Sequence, residues 1–420
     1  MPFLEFLVEN RRWLGGAFLL TFFSSFGQTF FIALSSGGIR AEYGLSHGEF
    51  GLIYMLATLA SALTLPLIGK TVDRHSVAVV AAVNIPLLAL AAATMAFSTS
   101  IVLLAVTIYA LRLLGQGMMT HNALTAMGRW YSAQRGRAIS ITVIGHQAGE
   151  AILPVLFVVA AASVGWRGTW LLGAAVLILV GLPAIIALMR IERRPRSSDG
   201  VAKRSAARDW TRAEVLRDPL FWLTCLGVLA PGFIGTTIFF HQVYLVELRG
   251  WSLTAFAGYF VAMAATTTVF SLVSGQLIDR FTASRLLPTF LVPLGLSCLV
   301  LAFWQAQVAG LVFMMLMGVS YGFSSTLMGA IWPEMYGTRH LGAIRSVVIA
   351  IGVFATSAGP GLTGYLIDAG ISYPAQIAVM GIYCFVASGV MGAVGSRIIA
   401  RNARAGVPGP HGGNASQDRN

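Results

Sequence analysis

Twelve apolar stretches, mostly separated by short loops, leave this chain little choice of architecture. They fall near residues 13–34, 50–69, 77–97, 101–127, 138–163, 168–189, 219–243, 252–274, 286–304, 308–331, 345–367 and 373–395. About 20 apolar residues in a helix cross a bilayer. Inside lipid every backbone N–H and C=O must find its partner within the protein, and a helix does this within one segment. The expected class is an all-α integral membrane protein of about twelve transmembrane helices. Composition agrees: 56% of the 420 residues are hydrophobic and 10% charged, where a soluble domain carries about 25% charged residues. The N-terminus does not read as a cleavable signal, because Glu5 and Glu9 precede the apolar run and no small-residue cleavage site follows it. The first span is expected to be retained, with the N-terminus in the cytoplasm.

The net charge of +12 would suit a nucleic-acid partner if it were gathered on one soluble face. Alternating the loops inside and outside places 24 of the 28 Lys and Arg residues on the side of the termini and 3 (Arg40, Arg167, Arg249) on the other, with Arg112 inside a span. This is the positive-inside pattern, and it predicts both termini in the cytoplasm of a multi-pass protein of the inner (plasma) membrane. The basic excess then faces anionic headgroups, and no nucleic acid is expected. Cys225, Cys298 and Cys384 each sit inside an apolar span, without metal or redox spacing.

A basic stretch divides the chain near its middle. The expected organisation is a six-helix half over 1–189, a cytoplasmic linker over 190–217, a second six-helix half over 218–396 and a disordered cytoplasmic tail over 397–420. The halves carry a repeated signal. Gly69-Lys70-Thr71-Val72-Asp73-Arg74 ends span 2, and Gly275-Gln276-Leu277-Ile278-Asp279-Arg280 ends span 8, an offset of 206 residues. Two copies at matched places point to duplicated, pseudo-symmetric halves. The glycine permits close helix contact, the aspartate can cap or pair with a neighbouring helix end, and the arginine anchors at headgroups. Gly69, Asp73, Arg74, Gly275, Asp279 and Arg280 are therefore candidate gating residues.

This pair of loops resembles the signature of the major facilitator superfamily, and the resemblance extends over nearly the whole chain in span count, central loop and expected termini. It implies the major facilitator fold and alternating access by a secondary transporter. Phe26-Gly27, Tyr43-Gly44-Leu45-Ser46, Gly165-Trp166-Arg167, Phe240-His241-Gln242-Val243-Tyr244-Leu245 and Arg339-His340-Leu341-Gly342 resemble the monocarboxylate-porter and oxalate/formate-antiporter branch.

Polar groups within the spans are the site candidates, since an ionisable side chain at mid-membrane costs about 2.5–3.5 kcal/mol. Arg112 in span 4 and Glu150 in span 5 lie at similar expected depth and are expected to pair across the central cavity. Arg112-x-x-Gly115-x-Gly117 resembles the span 4 signature of the superfamily, whose arginine is associated with substrate or proton coupling. His121 and His146 also share a depth, on spans 4 and 5, and His146 is one turn from Glu150. His241 near the end of span 7, with Gln28, Gln147 and Tyr321, completes the substrate-binding or proton-coupling set. Each also has a plain structural use as a buried hydrogen-bonding group. Gly145-x-x-x-Gly149 ahead of Pro154 marks a face of span 5 for close helix contact.

Span 8 carries no Lys or Arg, and Arg112 has Glu150 to neutralise it. A dianion such as oxalate is therefore disfavoured, and a monocarboxylate or a neutral solute fits better. The expected function is secondary transport of a small organic solute, a monocarboxylate first, linked to protons, by a monomer that needs no cofactor. The alternatives are a proton-coupled exporter of amphipathic or toxic molecules and a membrane sensor on a transporter scaffold. No nucleophile–base set, metal cluster or phosphate loop with lysine is visible, so an enzyme is not expected.

Overall fold

A computed structural model describes residues 3–131, 134–193, 208–337 and 339–404, with the side chains of Phe3, Leu4, Asp73, Arg135, Asp279 and Ser346 outside that description. Among the described residues all regular structure is helical. Ten helices are long and apolar enough to cross a bilayer, and a bent pair, Glu5–Gly27 and Thr29–Tyr43, makes an eleventh. One of the ten, Gly136–Met189, has 54 residues. At 1.5 Å per residue it would be about 80 Å long, more than twice the apolar core of a bilayer. It is two spans, broken at Gly165, whose φ of 71° and ψ of 168° suit glycine alone. The chain reverses there. Gly145 and then Gly149 meet Phe18 and then Phe22 of span 1, whereas Gly173 and Gly181 meet Phe26 and then Phe23, in the opposite order.

Twelve spans result among the described residues. Spans 2, 3 and 4 are His47–Ile68, Val77–Phe97 and Ile101–Trp130, and spans 5 and 6 share Gly136–Met189. Spans 7 to 12 are Pro219–Phe240, Leu253–Ile278, Ala283–Phe303, Val308–Tyr336, Ala343–Asp368 and Tyr373–Arg404. The protein is thus an all-α, multi-pass membrane protein.

Span 1 departs most from the expected straight helix over 13–34. It begins at Phe3, tightens to a 3₁₀ turn over Ser24–Gly27, is extended at Gln28 and resumes as short helical turns before a last helix, Ser36–Tyr43. The two parts are bent by 45°. Paired Ser24 and Ser25 followed by Gly27 are a composition at which helices kink. Of the expected linker, residues 194–207 lie outside the described residues, while Arg212–Arg217 forms a helix. Span 12 stays helical to Arg404, beyond the expected boundary at 396, and residues 405–420 lie outside the described residues.

By compactness the chain forms two units, one of Met1–Ala202, Thr236–Val261 and Ser357–Gly370, the other of Lys203–Gly235, Ala262–Thr356 and Ile371–Asn420. In the first, span 1 runs between spans 4 and 5, touching span 4 at Gly27 and span 5 at Gly145 and Gly149. In the second, spans 9 and 12 meet where Gly381 faces Cys298 and Gly295 faces Cys384. All three cysteines are buried and free.

The same junction is built in each unit. The Asn10 side-chain oxygen accepts from the Tyr131 hydroxyl at 3.0 Å and from Arg193 Nε at 3.2 Å. The Arg193 guanidinium lies over the Tyr131 ring at 4.1 Å and also donates to the Trp130 carbonyl. In the second unit Asp218 accepts from the Tyr336 hydroxyl at 3.0 Å and from Arg401 at 2.6 Å. Arg401 lies over the Tyr336 ring at 5.4 Å and donates to the Met335 carbonyl at 3.1 Å. Each junction ties the first, fourth and sixth helices of its set of six. The tyrosines are 205 residues apart and the arginines 208, close to the spacing of the repeated loops.

Candidate functional site

Arg112 is the natural starting point, a cation only 3% exposed within span 4. There the helix widens to a π-helical stretch over Arg112–Met119. Such bulges re-aim side chains and recur at functional sites. The neighbouring Gly27 and Gly115 allow it: a Cβ on Gly115 would lie 2.7 Å from the Gly27 Cα. Span 4 therefore touches span 1 at its break. The break leaves the Gly27 carbonyl without its usual helical donor, because the Phe31 N–H bonds the Gln28 oxygen instead. Arg112 Nη1 fills that role at 3.1 Å and reaches Thr29 Oγ1 at 3.3 Å. Thr29 Oγ1 also accepts from the Tyr54 hydroxyl of span 2 at 2.7 Å, and the guanidinium lies 5.4 Å from the Tyr54 ring centroid. Among the described residues, the buried Arg112 Nε has no acceptor.

A second support comes from the segment after span 7. Gln242 is fully buried, and its amide donates to the Phe30 carbonyl at 2.8 Å. Aromatic rings close the surroundings. Phe240 lies 4.7 Å from Tyr54 and 5.1 Å from Phe50, while Phe260 lies 5.9 Å from Phe30 and 5.1 Å from Phe239. The result is a guanidinium in an apolar, aromatic surrounding, held on one edge and, among the described residues, unpartnered at Nε. In low dielectric such a group recognises a carboxylate strongly.

The expected Arg112–Glu150 ion pair is not formed. The Glu150 carboxylate, 8% exposed, has no hydrogen bond or ion pair among the described residues. Span 1 explains this, since it runs between spans 4 and 5: Arg112 bonds Gly27 and Thr29 on it, while Gly149, the residue before Glu150, meets Phe22 and Ser25. His121 and His146 are likewise not brought together. His121 lies at Gly69, where a Cβ would sit 3.2 Å from its Nε2, and His146 is half-buried with its ring 6.2 Å from Phe30.

Gln28 is the extended residue of the break itself, beside Gly27 and Thr29. Gln147 is half-buried on span 5. His241 is buried, with Nε2 3.2 Å from the Pro360 carbonyl and its ring 6.0 Å from that of His47. Tyr321 belongs to the second unit, where its hydroxyl donates to the Pro231 carbonyl at 3.3 Å.

Of the loop signature, Gly69 packs on span 4, whereas a Cβ added to Gly275 would meet nothing nearer than Thr326 at 4.0 Å. Lys70, Arg74 and Arg280 are exposed, and the side chains of Asp73 and Asp279 lie outside the described residues. The first loop is held instead by Arg129, which donates to the Val72 carbonyl at 3.1 Å and lies 3.9 Å from Glu192. At the second loop Glu334, which reads in sequence as a helix-end charge, accepts from Ala283 N at 2.9 Å and Ser284 Oγ at 2.6 Å.

Sequence reasoning missed Thr29, Tyr54 and Gln242 as partners of the break. Gln242 stood within a stretch already noted for its resemblance, and a buried amide was a usable signal. Tyr54 gave none, because an aromatic residue on a membrane helix reads as packing. Among the described residues no group of three His, Cys, Asp or Glu side chains is placed to hold a metal.

Comparison with known proteins converges on one family. Residues 17–360 match the family model described as Major Facilitator Superfamily. Monocarboxylate transporter 13 of Rattus norvegicus is 26% identical over 307 residues, which is 70% of this chain and 68% of that protein. MFS-type transporter pytF of Aspergillus terreus is 29% identical over 167 residues, 39% of this chain, and the aligned part is about half of its own length, 53%. Among solved structures, a bacterial homologue of the human lysosomal transporter Spinster, described as inward-facing and unoccupied, superposes with a TM-score of 0.67 at 18% identity, covering 94% of this chain and 96% of that one. The same homologue in its inward-facing occupied form gives 0.64 at 18% identity, covering 96% of each.

Proposed function

The chain belongs to the major facilitator superfamily, and from that premise we propose that it is a proton-linked secondary transporter of a small monocarboxylate, working by alternating access in the inner (plasma) membrane with both termini in the cytoplasm. The observation that carries the substrate class is Arg112, a buried guanidinium whose Nε has no acceptor among the described residues. A single negative charge matches it, and a dianion would leave one charge uncompensated in an apolar surrounding. The alignment with a monocarboxylate transporter of rat supports the same class.

In this reading the carboxylate binds the unpartnered Nε edge of Arg112. Thr29 and Tyr54 fix the guanidinium plane, and the break in span 1 is the element that yields when the site changes access. Glu150 takes up and releases the coupled proton. It acts across span 1 and not by direct pairing with Arg112, so the two charges are linked through the position of that span. Neutralising both the bound anion and Glu150 makes the loaded carrier cheap to reorient in lipid.

Uptake of labelled small monocarboxylates into proteoliposomes, with and without an inward proton gradient, tests the reading. Gradient-stimulated, saturable uptake of one such compound is the expected result. Absence of uptake across the panel by folded protein overturns the substrate class and favours export of amphipathic compounds.

A further inference from the structure

We propose that a recess some distance along span 1 from Arg112 binds one small monovalent anion, a halide or a short carboxylate, through Arg40. The recess is lined by Ser36 and Arg40 on the last helix of span 1, His47 and Phe50 at the start of span 2, and Phe240, His241 and Tyr244 around the end of span 7. It is partly open and has room for about one water-sized group, a halide or one oxygen of a carboxylate. All these residues belong to one compact unit.

Within the lining it is the Arg40 guanidinium that is short of an acceptor. Arg40 Nε is buried without a partner, and no ion pair engages its guanidinium among the described residues. His47 lies with its ring 4.2 Å from Tyr244 and 6.0 Å from His241. His241 Nε2 faces the Pro360 carbonyl at 3.2 Å, which assigns a proton to that nitrogen.

Of the nearby carboxylates, Glu247 approaches Gly37 on the helix of Arg40, 3.5 Å from where a Cβ would lie, and makes no ion pair with Arg40 among the described residues. Asp368 at the end of span 11 accepts from His47 N at 3.2 Å and Gly48 N at 2.7 Å, closing the N-terminus of span 2. It is therefore spent on the backbone of span 2. Glu42, on the helix that carries Arg40, is bonded to Arg167 at 2.7 Å. What remains is the Arg40 guanidinium, with the Ser36 hydroxyl in the same lining, at a small space walled by Phe50 and Phe240. A charge-assisted contact to Arg40 would supply the missing acceptor. Because spans 1, 2 and 7 all line the recess, an occupant also fastens these three helix ends together. Arg112 does not line the recess, although Phe50 and Phe240 wall both places, and the proposal does not depend on which solute is carried.

The test is thermal unfolding of the purified full-length protein in detergent, with chloride or formate titrated against gluconate at constant ionic strength. A saturable rise in Tm with either anion is expected. A response to chloride assigns a halide-sized inorganic occupant, and a response to formate alone assigns a carboxylate. Arg40→Gln should weaken half-saturation at least about tenfold, while Arg112→Gln should retain it, which separates this site from the proposed transport site. No saturable rise in the unmodified protein, or an unchanged titration in Arg40→Gln, overturns the proposal. If Arg40→Gln does not fold, crystals of the full chain soaked in bromide decide: anomalous density beside Arg40 is expected, and density only elsewhere overturns it.

Discussion

Arg112 and Gly27 are joined by a 3.1 Å hydrogen bond from a buried guanidinium to a carbonyl that the break in span 1 has released. The bond makes one residue serve two ends. It completes the backbone of a broken membrane helix, and it holds a cation still in the apolar interior.

Replacing Arg112 tests both ends. Arg112→Gln keeps a donor for Gly27 and removes the charge. Hydrogen bonds to a charged group are worth about 1.5–3 kcal/mol, so carboxylate uptake by reconstituted protein should fall at least about tenfold. The unfolding temperature should change less than in Arg112→Ala, which leaves the Gly27 carbonyl without a donor.

The contact between spans 1 and 4 depends on the absence of side chains. A Cβ on Gly27 would lie 2.6 Å from Gln116 N and 2.8 Å from the Gly115 Cα. Overpacking of this kind costs about 1–3 kcal/mol. Gly27→Ala should lower the unfolding temperature in detergent, whereas Gly128→Ala, with nothing within 4 Å of the added carbon, should leave it unchanged or slightly raised.

The two arginine junctions predict unequal losses. Arg401→Ala leaves the Asp218 carboxylate, itself 8% exposed, with the Tyr336 hydroxyl but without its counter-charge, and should cost about 1–3 kcal/mol. Arg193→Ala leaves the neutral Asn10 amide its Tyr131 donor and should cost less. Thermal unfolding of the two variants side by side gives the comparison, and Asp218→Asn should rescue part of the loss in Arg401→Ala.

A pH effect is expected at the helix before span 7. Glu214 is held below the usual glutamate range by hydrogen bonds from the Thr211 backbone and hydroxyl. A lowered folded-state value means that the capping contribution is present above the unfolded value and is lost as pH falls through the folded one. An NMR titration of the Glu214 carboxyl should give a midpoint under the usual value, moving only part of the way back in Thr211→Ala, which removes the hydroxyl and keeps the backbone N–H.

Much of the fold was legible because lipid imposes long apolar runs, and such runs are visible one residue at a time. The spans and the repeated loops followed from this, and so did the choice of Arg112 and Glu150 as costly groups. The expected ion pair between them failed because depth along two helices says nothing about what lies between them. The intervening element, span 1, was expected to be straight, and its break at Ser24–Gly27 supplies the carbonyl that Arg112 uses. Likewise Tyr54 and Thr29 carry no sequence mark, since their role comes from where three helices meet.

The paired junctions bear on the history of the chain. Asn10 in one corresponds to Asp218 in the other, and Trp130 to Met335, yet the arginine over the tyrosine and its reach to the preceding carbonyl recur. The shape of the knot outlived the letters that first spelled it. An ancestral gene of half the length, already tying its first, fourth and sixth helices together in this way, would have handed both descendants a finished fastening before they diverged.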